Sequence, residues 1–205
     1  MNWPEGPAAA LFNKQGLLDT TPAVEWFTEI LSNFKTFSNR KIAIAAANVD
    51  NGNYEVFTTE NIAFEDVPQI AMASGSIPTV FPNQHYKGKN LMDGGTIQDL
   101  NIESAVNACQ DMGYAEKDII VDILICGYMS LPSEAKTGNA INNLVQARDI
   151  HGAFNDGNAV LVQERAYPDV KYRYYQLEDP AFACDVVDLL DFNNSTTWCL
   201  QEAGR

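Results

Sequence analysis

Leu91-Met92-Asp93-Gly94-Gly95 sets a carboxylate after apolar residues and ahead of two glycines, whose backbones reach angles closed to other residues. An aspartate placed this way can turn into a cleft and remove a proton. Acyl transfer needs that step, because a serine hydroxyl is a poor nucleophile until an adjacent base takes its proton, and an aspartate alone can serve in a two-residue dyad. A serine presented on a tight strand-to-helix turn has the pattern Gly-x-Ser-x-Gly. No two glycines here have that spacing, so the candidate base Asp93, with Gly94 and Gly95 in support, comes without an elbow nucleophile. Taken alone, Asp93-Gly94 would be an ordinary turn pair.

Other groups that could do chemistry have plainer readings. Ser74 and Ser76 lack the elbow glycines and read as packing or hydrogen-bonding groups at a helix end. His85 and His151 read as surface or partly buried polar residues. Cys109, Cys126, Cys184 and Cys199 include no Cys-x-x-Cys pair, so neither a metal site nor a cofactor is expected. Asp50-Asn51-Gly52 lacks the ligand spacing of a calcium loop and reads as a hairpin turn.

The 205 residues, 46% hydrophobic and 20% charged, suit one packed domain. Thirteen basic residues against 27 acidic ones leave a formal charge of -14, a field that repels phosphate backbones and argues against nucleic-acid binding. No apolar run reaches membrane-spanning length and no basic start leads into an apolar core, so neither an anchor nor a signal is visible and the compartment stays open. Asn193 and Asn194 each head an Asn-x-Ser/Thr triplet, a weak glycosylation signal.

The elements that must position Asp93 follow from pattern. Met1 to Gly16 reads as an irregular surface segment. Asp19-Thr20-Thr21-Pro22 starts a helix, capped by a hydroxyl, whose Val24, Phe27, Leu31 and Phe34 form one buried face. Lys41 to Asn48 reads as a central strand covered on both sides, returning through Tyr54 to Thr58. Val67 to Gly75 is a short helix, and His85 to Met92 a hairpin turning at Lys87-Gly88-Lys89-Asn90 and delivering Asp93 at a strand end. Asn101 caps a helix with Ile102, Ala105, Val106, Cys109 and Met112 on one face and Gly113 at its stop. Asp118 to Gly127 is a buried strand, and Ile141 to Arg165 is helical with a break near Asn155-Asp156-Gly157. Val170 to Leu177 is a strand and Asp185 to Phe192 a short terminal helix. The alternation predicts an α/β layered domain. Phe57, Phe64, Phe81 and Tyr86 read as core, with some free to line an acyl-chain groove.

The succession of Gly16-Leu17-Leu18-Asp19-Thr20-Thr21-Pro22, Arg40 to Asp50 leading into Tyr54-Glu55-Val56-Phe57, Ala73 to Pro82 and Asp93-Gly94-Gly95 resembles the patatin-like phospholipase family, clearly over Gly16 to Gly127. The resemblance implies lipid acyl-ester hydrolysis by a Ser-Asp dyad, with Asp93 as the aspartate. It also implies a three-layer α/β sandwich whose central, mostly parallel sheet is flanked by helices. In the family the glycine-rich oxyanion loop and the serine elbow precede the matched region. Residues 1–205 are therefore expected to be the C-terminal portion of such a domain, a partial domain with the serine supplied by sequence not present here. The expected partner is a lipid ester substrate, with transient contact at a membrane or lipid-droplet surface. The missing N-terminal half or another chain would cover the incomplete side. The alternative is a non-catalytic fragment acting as a structural or interaction subunit. Asp99 and Asn101 stand where the family commonly has Asn and Pro, and the extra charge of Asp99 would raise the proton affinity of a neighbouring carboxylate.

Overall fold

The computed structural model describes residues 14–125, 138–176, 198–199 and 201–202. The helix expected over Asp185 to Phe192, residues 1–13 of the irregular start and the Asn193 and Asn194 triplets lie outside the described residues.

Helix α1, Thr21–Ser32, begins with Pro22 in its first turn, where a missing N–H is harmless. Its first donor is met by a carboxylate rather than a hydroxyl: Thr21 N–H donates to Asp19 Oδ1 at 2.9 Å. The predicted buried face is not there. Val24, Phe27 and Leu31 are half-buried, Phe34 is 60% exposed, and Trp26 and Ile30 face outward, because α1 lies on the molecule's surface against one neighbouring helix.

Two hairpins build the main sheet. Strands β1, Ala43–Asn48, and β2, Tyr54–Thr58, pair antiparallel from Ala43 with Thr58 to Ala47 with Tyr54, turning through Gly52 at a φ of 75°. Helix α2, Val67–Ser74, follows and crosses the sheet. Strands β3, Gln84–Tyr86, and β4, Lys89–Asp93, close around Lys87 and Gly88, both at positive φ, the geometry whose twist matches a hairpin. Strand β4 then pairs antiparallel with β1, setting Ala46 opposite Asp93, and the sheet order is β2-β1-β4-β3. The mostly parallel central sheet expected for the domain is not seen in these four strands, which pair antiparallel throughout; short turns impose that direction on β1 with β2 and on β3 with β4.

Parallel pairing is found in the second half. Helix α3, Ile102–Asp111, leads to β5, Ile120–Ile125, then to helix α4, Ala140–Ala166, and back to β6, Lys171–Gln176, which lies parallel to β5. Residues of β5 alternate: Val121, Ile123 and Ile125 are buried, while Ile120 and Leu124 are exposed at 53% and 68%. The strand predicted to be buried is buried on one face only over its described residues. Helix α4 runs unbroken through Asn155-Asp156-Gly157, since one glycine and two short polar residues weaken a long helix without ending it.

Each half has its own core. Ile70, Ala73, Phe57, Tyr86 and Leu91 fill the space between α2 and the antiparallel sheet, with Phe57 and Tyr86 edge to face at 5.6 Å. Val106, Val121, Ile123, Val160 and Val170 pack between β5, β6 and the two later helices. The chain before α1 ties down the stretch after α2: Leu17 and Leu18 donate to the carbonyls of Thr79 and Val80 at 3.1 and 2.9 Å. Gly16 passes so close to Pro82 that a Cβ would lie 2.3 Å from its nitrogen.

Candidate active site

Asp93 is the last residue of β4, and three local contacts fix it. Its N–H donates to the carbonyl of Ser76 at 3.0 Å, its backbone sits opposite Ala46 in the sheet, and its Oδ1 accepts the N–H of Gly95 at 2.9 Å. The last bond folds the chain into the 3₁₀ turn Gly94–Thr96, with the aspartate as its cap.

Both glycines answer to space rather than to unusual dihedrals. A Cβ on Gly94 would stand 2.7 Å from the carbonyl oxygen of Ala45, so the turn can lie against β1 only without a side chain. A Cβ on Gly95 would fall 1.7 Å from Asp99 Oδ1 and 3.3 Å from Asp93 Oδ1. Two carboxylates therefore share the open face of one glycine.

These groups line a cavity of about 250 Å³ together with Ala43, Ile44 and Ala45 of β1, Tyr54 of β2, Ser74 at the end of α2, Gln98 and Asn101. Tyr54 crosses to donate its hydroxyl to the carbonyl of Gln98 at 3.0 Å, and the Gln98 amide holds the carbonyl of Leu100 at 2.7 Å. Asn101 caps α3 through the Ser104 N–H, as the sequence predicts, and its Nδ2 is buried with no acceptor.

The surroundings raise the proton affinity of Asp93 and Asp156. Burial pushes Asp93 above the usual carboxylate range, the Gly95 N–H opposes it, the Asp99 charge adds to burial, and the Arg148 charge on α4 works against both. Tyr54 is pushed up to about 12, by burial first and then by Asp99 and Asp93. Further along α4, Asp156 is 5% exposed with an unpartnered Oδ1, and burial, followed by the Asp99 charge, raises it to about 6.

The other sequence candidates separate clearly. Ser76 is fully buried and donates its hydroxyl to the Met72 carbonyl at 2.8 Å, a helix-end role. Ser74 reaches the cavity wall. His85 and His151 are exposed and do not line the cavity. Among the described residues no group of three His, Cys, Asp or Glu side chains could hold a metal, and no helix is long and apolar enough to cross a membrane. Phe57 and Tyr86 are core, while Phe64 pairs edge to face with Phe37. Sequence reading missed Tyr54, Gln98, Arg148 and Asp156 as neighbours of the site. Tyr54 could have been found only through the register of β1 with β2, and the α4 residues carry no local signal.

The family model for patatin-like phospholipase matches residues 2–106, just over half of the chain and the whole of the antiparallel sheet with its cavity. No curated protein matches the sequence. Alignment to the family over that length, on a mixed α/β fold that carries Asp-Gly-Gly at a strand end, leaves one assignment: the chain belongs to the patatin-like phospholipase family.

Proposed function

We propose that this chain is the C-terminal portion of a lipid acyl-ester hydrolase in which Asp93 is the catalytic base. The observation that carries the reading is the placement of Asp93, inside a cavity at the end of a core strand, with its carboxylate aimed by the Gly95 N–H. Family membership supports hydrolysis of lipid esters in general. In the proposed step Asp93 takes the proton of a serine supplied by sequence outside this chain, and the serine oxygen bonds to the ester carbonyl carbon. Collapse expels the alcohol with that proton. Water then adds to the acyl-serine, again giving a proton to Asp93, and releases the fatty acid while the serine is reprotonated. Gly94 and Gly95 let the base approach β1 and Asp99 closely.

The complete domain would be a three-layer sandwich in which further strands extend the β5 and β6 pair into a mostly parallel sheet. The bare Ile120 and Leu124 face supports that reading, since parallel sheets are ordinarily covered on both sides. In the complete domain, Asp93→Asn should lower kcat/KM on a phospholipid or triacylglycerol ester by about 10²–10⁴-fold with an unchanged circular dichroism spectrum. Full turnover by the folded variant would remove Asp93 from the mechanism.

A second reading, a non-catalytic structural subunit, is favoured by one observation: Asp99 beside Asp93 disfavours the ionised base. Absence of ester hydrolysis by the complete domain at every pH would select it.

A further inference from the structure

The cavity at Asp93 carries formal charge of one sign. Among its described lining residues the charged side chains are Asp93 and Asp99; the others are apolar or neutral polar, with no lysine, arginine or histidine among them. Asp99 has no role in the proposed dyad. It is exposed to solvent, yet its Oδ1 stands 1.7 Å from where a Cβ on Gly95 would lie, directly over the glycine whose N–H holds Asp93. We propose that Asp99 is a specificity-determining residue: its carboxylate at the cavity rim makes the site take esters with no negative charge near the scissile bond, neutral acylglycerols in preference to anionic phospholipids.

The inference rests on the hydrolase reading for calling the ligand an ester; the selection itself follows from the cavity wall. An anionic group that enters gives up part of its hydration and meets a like charge, with no described lining cation to receive it. The neutral donors do not make up the loss. Tyr54 has already given its hydroxyl hydrogen to the Gln98 carbonyl, and the unpartnered Asn101 Nδ2 is closed off from solvent. Arg148 on α4 is the cation whose charge bears on Asp93, but it is not among the lining residues. An uncharged ester avoids the like-charge contact and finds Ala43, Ile44 and Ala45 for its apolar part. The formal charge of -14 on the whole chain acts in the same direction at longer range.

Two probes of matched length test it on this chain: methyl butyrate, which is neutral, and the monomethyl succinate anion. Amide NMR at Gly94 and Gly95 follows the binding of each. The neutral ester should bind more tightly, and the ratio of the two dissociation constants should shrink by roughly fivefold in Asp99→Asn, the effect of one unit charge at contact range in near-aqueous surroundings. The cost of desolvating the probe's own carboxylate is common to both proteins, so the change in ratio reports Asp99. Asp99→Glu should restore the native ratio. In the unsubstituted chain the ratio should also shrink as salt rises from about 20 mM to about 0.5 M, which a purely steric role would not produce. Equal binding of the two probes at low salt, a ratio indifferent to salt, or Gly94 and Gly95 amides unmoved by either ester would each overturn the proposal, whether or not the variants fold. So would an unchanged ratio in folded Asp99→Asn. Selective binding here with no ester hydrolysis by the complete domain would keep the selectivity and discard the hydrolase reading. Hydrolysis of both esters at equal kcat/KM would do the reverse.

Discussion

Asp156 is the most conspicuous single residue of the chain, because a carboxylate with 5% exposure and an unpartnered oxygen pays desolvation with little in return. Its folded-state pKa, about 6, lies above the ordinary 3.8. Between those values the folded chain binds more protons than the unfolded one, so stability falls as pH rises through that window. Above it the whole penalty is in place, about 2–3 kcal/mol. Asp156→Asn, which cannot ionise, should therefore be more stable than the native chain by up to that amount at pH 8 and indistinguishable at pH 3.5. Urea denaturation at the two pH values measures the difference, and equal gains at both would assign the effect to packing.

At the scale of elements, the site depends on β4 serving two masters. Leu91 is fully buried in the core of the antiparallel half, and Asp93 ends the same strand. Leu91→Ala should cost about 2–5 kcal/mol and loosen the Asp93 turn with it. Hydrogen exchange at the Asp93 and Gly95 amides should accelerate with the loss, while amides of β5 change less, because β5 packs in a separate core. The hairpins around this strand were legible in the sequence: Asp50-Asn51-Gly52 and Lys87-Gly88 are local turn chemistry, and local chemistry decides a tight turn. The exposed side of α1 and the bare face of β5 were not. Periodicity says that a face is apolar and leaves open whether anything lies against it. The candidate site divides the same way, since Asp93, Gly94 and Gly95 announce themselves in a contiguous motif. Tyr54 and Asp156 reach the neighbourhood of Asp99 only through strand pairing and helix packing.

The whole molecule combines a formal charge of -14 with exposed apolar side chains, among them Trp26 at 57%, Phe34 at 60% and Leu124 at 68%. Mutual repulsion is what keeps such surfaces apart at neutral pH. Static light scattering should accordingly show association as the pH approaches the isoelectric point of about 4.3, reversing on return to pH 7.5. Leu124→Gln should reduce it if the bare β5 face is the sticky one. Scattering that stays flat through the isoelectric point would mean those side chains do not drive association. Inside the antiparallel half, the two-residue alternation of β4 has a last consequence, for ancestry. Leu91 and Asp93 share the same parity, so the anchor of the leucine also aims the acid inward. In any lineage, deletion of Met92 would swing the carboxyl to the opposite side while the hydrophobic seat stayed filled.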